Sequence, residues 1–256
     1  MKKTILTFFI FALSFSMFAQ NNFDCSALII NPAIRYLNVR ERPTVNSPIV
    51  DRVWRYEVFF HFCFFMGNAG NTLLRDDGYP NWLLISFEDE SVVGFVHKPH
   101  TISLRDLPKL DVQIENDSQI VHGNDTIQVI VSLAPFDLNA HEITFEEYEW
   151  GKIITAINGK PFFGMFTTVI ENDRKDEMIN EIKKWNRIIT GLSIYQNGKK
   201  WEVPIDDVQN YFSPMMSVRV GSFGELYIWI TVGDGGEVFS IMLSVVNGQI
   251  VYVTDF

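Results

Sequence analysis

The sequence predicts a mainly β protein in two parts: a small strand-rich module, then a β-rich half, sandwich-like or α+β, with one helix. Three observations carry that expectation. Short runs of alternating apolar and polar residues recur along the chain, the period of a half-buried strand. Three Asn-Gly pairs sit between apolar runs, and Asn-Gly is the strongest short hairpin signal because both residues tolerate positive φ. One stretch alone, residues 173–187, repeats its apolar side chains at helical spacing.

The composition is that of a globular protein. Of 256 residues, 47% are hydrophobic and 20% charged, which excludes a disordered chain, a collagen and a coiled-coil rod. The net charge of −10 leaves no general basic footprint, so nucleic acid is not an expected partner. Two cysteines are too few for a disulfide scaffold or a cysteine-based zinc site. Neither a metal nor a cofactor is expected.

The chain opens with Met1-Lys2-Lys3, an apolar run from Ile5 to Phe18 and a small residue, Ala19. That order is a secretory signal peptide over residues 1–19, the apolar run being shorter than the roughly 20 residues that span a bilayer. The alternative is an uncleaved N-terminal anchor. After cleavage no membrane span remains, and the expected location is periplasmic or extracellular. Cys25 follows Asn21-Asn22-Phe23-Asp24, a poor lipoprotein site, so lipid anchoring through Cys25 is not expected. Export makes a Cys25–Cys63 disulfide chemically possible. Cys63, within Phe62-Cys63-Phe64-Phe65, reads equally well as a buried small hydrophobe.

Charge divides the rest near Pro108. Residues 20–109 hold 10 acidic and 9 basic side chains, residues 110–256 hold 21 and 10. Residues 105–110, polar and interrupted by Pro108, read as a linker between a domain at 26–104 and an acidic one at 111–256. In the first, Tyr36-Leu37-Asn38-Val39-Arg40 alternates as a strand, with one of Leu37 and Val39 expected to pack under a loop. Pro43 fixes a bend. Val50 to Met66 suits one or two core strands, and Gly67 to Asn81 a loop. Trp82 to Phe87 and Val92 to Val96 form a returning pair around the polar Glu88-Asp89-Glu90-Ser91. Five strands of this kind would close a small barrel with few exposed edges.

The order of these motifs resembles a known family. Leu37-Asn38-Val39-Arg40-Glu41-Arg42-Pro43, Ser47-Pro48-Ile49-Val50, Trp82-Leu83-Leu84-Ile85 and Gly94-Phe95-Val96 are similar, in sequence order, to the conserved steps of bacterial SH3-like domains, over residues ~28–104. Phe95 stands where that family carries tryptophan, and the 67–81 loop is longer than its usual length. The resemblance implies a small SH3-like barrel recognising a cell-wall peptide or an envelope protein segment. Its ligand face would draw on Tyr36, Asn38, Arg40, Glu41, Tyr79, Trp82 and Phe95. Aromatic faces bind extended chains with little loss of side-chain entropy. Trp54 and Trp82 read first as core residues of a small module, Tyr36 and Tyr79 as the stronger binding candidates.

In the acidic half, Asn158-Gly159, Asn197-Gly198 and Asn247-Gly248 each predict a hairpin, and Leu226 to Val232 is a further strand closed by Gly233-Asp234-Gly235-Gly236. Met178, Ile179, Ile182, Trp185 and Ile189 place the helix, with Asp173 available to cap it and Lys183-Lys184 near its end. Pro204 to Phe212 is read as a short helical turn, and Glu146-Glu147-Tyr148-Glu149 as a solvated acidic face. The layout loosely resembles uncharacterised bacterial β-rich domains, a likeness that carries no activity.

Catalytic signatures are missing. No Gly-x-Ser-x-Gly elbow, His-Glu-x-x-His pair or phosphate-cradling glycine loop occurs. The Gly233–Gly236 stretch lacks the spaced acids of a calcium loop, and Pro99 keeps His97 and His100 out of a helical metal pair. The expected function is therefore an exported, non-enzymatic binding protein whose second domain is another interaction surface. The competing class is an envelope hydrolase in which Asp206, Asp207, Asp234 or Glu237 converge in a cleft.

Overall fold

The computed structural model describes residues 27–61, 79–86, 93–149, 151–161, 169–171, 173–206, 208, 213–234 and 237–255. The leader, Cys25, Cys63, most of the 67–81 loop and Asp207 lie outside the described residues. The protein is mainly β, in several antiparallel sheets.

Seven strands build the first sheet: β1 (Ala27–Ile30), β2 (Tyr36–Arg40), β3 (Ile49–Trp54), β4 (Phe59–His61), β5 (Trp82–Ser86), β6 (Val93–His97) and β7 (Thr101–Ser103). Their order is β3-β2-β6-β5-β4-β1-β7, two strands more than the five expected. Leu37 and Val39 both enter its core, with Val53, Phe59, Leu83, Ile85 and Val96. Residues two apart share one face of a strand, so neither packs under a loop as expected. β3 is the edge of the sheet, and of its six residues only Val53 is buried. The start of the 50–66 apolar stretch is thus an edge strand, and its core contribution comes from Phe59 in β4.

The next two sheets form a sandwich. One has the order β16-β15-β10-β9-β8 and the other β17-β18-β19-β20. Their strands are β8 (Asp111–Asn116), β9 (Gln119–Gly123), β10 (Ile127–Pro135), β15 (Arg187–Gln196) and β16 (Lys199–Val203), facing β17 (Met215–Val220), β18 (Leu226–Asp234), β19 (Glu237–Val246) and β20 (Gln249–Asp255). Val129, Val131, Leu192 and Ile194 of the first interleave with Ile228, Ile230, Ile241 and Leu243 of the second in the largest core. Strand alternation turns Tyr227, Trp229 and Met242 the other way, onto Ala27, Ile29 and Val58 of the first sheet. The β17–β20 sheet is therefore covered on both faces, and the molecule has three sheet layers there.

Residues 105–110 run along this contact. Leu107 is buried with the inter-sheet cluster and Leu110 in the sandwich core, while Arg105, Asp106, Pro108 and Lys109 stay exposed. The Leu110 amide donates to the Val218 carbonyl and the Val220 amide to that of Pro108, both at 2.9 Å. The segment is polar on its outer side alone.

A smaller unit is inserted in the sandwich: β11 (Ile143–Tyr148), β12 (Gly151–Ile157), β13 (Lys160–Pro161), β14 (Val169–Glu171) and helix α1 (Lys175–Trp185). Ile154, Ile157, Ile170 and Ile182 pack around Phe136. The helix falls inside the expected range, with Lys183 and Lys184 in its last turn. Arg174, not Asp173, holds the N-cap position, and no side chain caps it. Ile189 belongs to β15, because Asn186 ends the helix, its buried amide donating to the Ile182 carbonyl at 3.0 Å.

All three Asn-Gly pairs are two-residue hairpin turns with φ of 51–53° at Asn and 73–76° at Gly. Ile157 pairs with Lys160, Gln196 with Lys199 and Val246 with Gln249 across them. The turns differ in surroundings. A Cβ on Gly159 or Gly198 would meet open space, whereas one on Gly248 would overlap the Trp201 side chain from β16.

Gly159→Ala and Gly198→Ala should each cost about 1 kcal/mol, the left-handed backbone penalty alone, and Gly248→Ala clearly more, measured as urea unfolding midpoints. Burial, helped by the nearby Glu225 carboxylate, pushes the Tyr227 hydroxyl far above its usual range. The unfolded chain loses that proton near pH 10 while the folded chain keeps it. Stability should therefore fall as pH rises above about 10, and Tyr227→Phe should flatten the fall in urea titrations at successive pH values.

Candidate functional site

Strand register decides which side chains share the outer face of the first sheet. Tyr36 pairs with Trp54 and Asn38 with Arg52; Arg40 pairs with Phe95; Trp82 pairs with His97 and Leu84 with Phe95. Directly paired residues lie on one side of a sheet and alternate residues along a strand return to it. Tyr36, Asn38, Arg40, Phe95 and Trp82 therefore all face outward, opposite the Leu37–Val39 core. The close β2–β6 approach requires a small residue: a Cβ on Gly94 would overlap the Val39 side chain.

The rings gather in two groups. The Tyr36 and Trp54 centroids are 5.5 Å apart, with Arg52 over Tyr36 at 5.0 Å and Arg35 over Trp54 at 5.8 Å. Tyr79 meets Phe95 edge-on at 5.9 Å, and Trp82 meets His97 at 5.3 Å, with His100 a further 5.1 Å on. Tyr36 is 42% exposed and Trp54 41%, so Trp54 is a surface residue and not the core residue expected.

Not every sequence candidate offers its polar atoms to the face. Arg40 Nη1 donates to the Ser47 carbonyl at 2.7 Å, holding the loop after β2. Glu41 lies just beyond the strand in that loop, its amide bonded to the Pro48 carbonyl. Asn38 Oδ1 accepts from Arg52 Nε at 3.4 Å. Sequence reasoning missed Arg35, Arg52 and the outward role of Trp54. The sequence signal was only the two-residue spacing of Arg52 and Trp54; their pairing with Asn38 and Tyr36 comes from the register.

The edge beside this face is closed to a further strand. The main-chain amides of Arg52 and Trp54 donate to Asp51 Oδ1 and Glu57 Oε2, both at 2.7 Å, which blunts β3 as a pairing template. The turn after Trp54 is held from the sandwich. Tyr56 has φ 77°, costly for a bulky residue. The fully buried Ser244 donates to its carbonyl at 2.7 Å, and the Tyr252 hydroxyl donates to the Val58 carbonyl at 3.2 Å.

Other features gather less chemistry. Among the described residues, no group of three His, Cys, Asp or Glu side chains is placed to hold a metal. A cavity of about 240 Å³ at the 105–110 segment is lined by Leu110, Ile127 and Val220 together with the polar Lys109, Asn124 and Ser222. Asp234 and Glu237 pair across the end of the β18–β19 hairpin, while Asp206 lies in the turn after β16, its carbonyl bonded by Lys160. Neither a protein-family model nor a curated protein matches the chain.

Ser244→Ala strips the Tyr56 carbonyl of its donor. The expected loss is about 1–3 kcal/mol, the cost of an unsatisfied buried polar group, read from urea unfolding.

Proposed function

We propose that this is an exported, non-enzymatic binding protein of the cell envelope. Its first domain, read as SH3-like, takes an extended cell-wall peptide or protein segment across the outer face of the β3-β2-β6-β5 strands. One observation carries the reading: Tyr36, Asn38, Arg40, Phe95 and Trp82, chosen from sequence motifs far apart in the chain, share that face, with Tyr79 against Phe95. Half-exposed, mutually braced aromatic rings present large area with little entropy left to lose on binding. The acidic sandwich serves as a second interaction surface.

The purified protein should be retained on peptidoglycan or on immobilised cell-envelope extract. Tyr36→Ala and Trp82→Ala should each weaken retention roughly tenfold, the size of a moderate aromatic hot spot. Absence of retention on both matrices would overturn the reading.

A further inference from the structure

We infer that the occupant of this face is an extended peptide carrying carboxylates, and that Arg35 and Arg52 read it. The inference rests on the binding role proposed above and adds the ligand's charge class.

The four side chains form an alternating ladder, Arg35–Trp54–Tyr36–Arg52, with successive spacings of 5.8, 5.5 and 5.0 Å. A guanidinium lying over a ring can still offer in-plane N–H groups to a carboxylate as two parallel hydrogen bonds; Arg52 has its Nε on Asn38 Oδ1 at 3.4 Å and keeps its two Nη groups for that role. No ion pair among the described residues uses either arginine. The nearest carboxylates on the same strand and turn, Asp51 and Glu57, are bonded to main-chain amides. Several cations of the acidic half are paired instead: Arg174 with Glu177 at 2.9 Å, Arg187 with Asp117 at 3.0 Å, and Lys152 and Lys200 with Glu147 and Glu202.

The charge is local. Residues 27–61 carry five arginines against three acids in a chain of net −10. A nucleic acid or an anionic membrane presents a continuous negative field that the acidic remainder opposes, whereas a short peptide meets the face alone. The ladder spacings cap the separation of the two guanidinium groups at about 16 Å, the reach of roughly five extended residues. The closed β3 edge directs such a peptide across the rings instead of alongside the strand.

Panning a random ten-residue peptide library against the full protein tests this. Retained peptides should be at least twofold enriched in Asp and Glu. The best of them should lose tenfold or more in affinity when its acids become Gln, and to the same extent against an Arg35→Gln/Arg52→Gln variant that keeps the wild-type circular dichroism and Tm. Affinity should fall with added salt. Retained peptides with no charge preference would overturn the carboxylate inference while sustaining the binding role. No retained peptide at all would overturn both. A salt-dependent dimer that acidic peptides fail to dissolve would give the face to a second copy of this chain and likewise overturn the inference.

Discussion

The burial of the β17–β20 sheet on both faces is the constraint on which the rest depends. Ile228, Ile230, Ile241 and Leu243 fill the sandwich core, while Tyr227, Met242 and their neighbours on the other side meet Ala27, Ile29 and Val58. Antiparallel sheets commonly leave one face to water and then alternate. Here Leu226 to Val232 and Ile241 to Val246 read as almost unbroken apolar runs, because neither face of those strands is free. The seven-stranded sheet and the sandwich thus share an apolar interface, and Leu104 and Leu107, at the boundary between them in sequence, are part of it.

That interface reaches the candidate ligand face through one short turn. Tyr56 adopts a left-handed backbone that its side chain disfavours. What holds it is Ser244, from a strand nearly two hundred residues further along the chain. Two residues before Tyr56, Trp54 lies against Tyr36 and under Arg35, its amide closed by Glu57 from the same turn. The geometry of the ladder is accordingly not a property of the first sheet by itself. The sandwich acts on the face by fixing the turn that follows β3.

What the sequence made legible was local. Each Asn-Gly pair became a two-residue turn because the positive φ it requires is decided by two residues. The helix at 175–185 was visible within residues 173–187 from the spacing of Met178, Ile179 and Ile182, though Ile189, counted in the same spacing, lies in a strand because Asn186 ends the helix. Trp54 was misjudged for a non-local reason: nothing in Ile49–Trp54 says that β2 is its neighbour on one side and that, among the described residues, no strand lies on the other. The leucines of the 105–110 segment were obscured in the same way, since they stand among Arg105, Asp106, Pro108 and Lys109 and the clusters that bury Leu107 and Leu110 draw on strands far apart in the chain. The clustering of Tyr36, Asn38, Arg40, Trp82 and Phe95 was legible as a set of residues but not as a surface, because only strand order puts β6 between β2 and β5.

Charge completes the link between fold and face. In the acidic half, Lys152, Arg174 and Lys200 sit within reach of carboxylates on the same strand, hairpin or helix end, contacts that contribute little stability when exposed but neutralise those three cations. On the first sheet Arg35 and Arg52 lie over rings instead, and Asp51 and Glu57 close main-chain amides. The difference lies in what stands beside the charge: a carboxylate for those cations of the acidic half, and an aromatic ring for Arg35 and Arg52 on the first sheet.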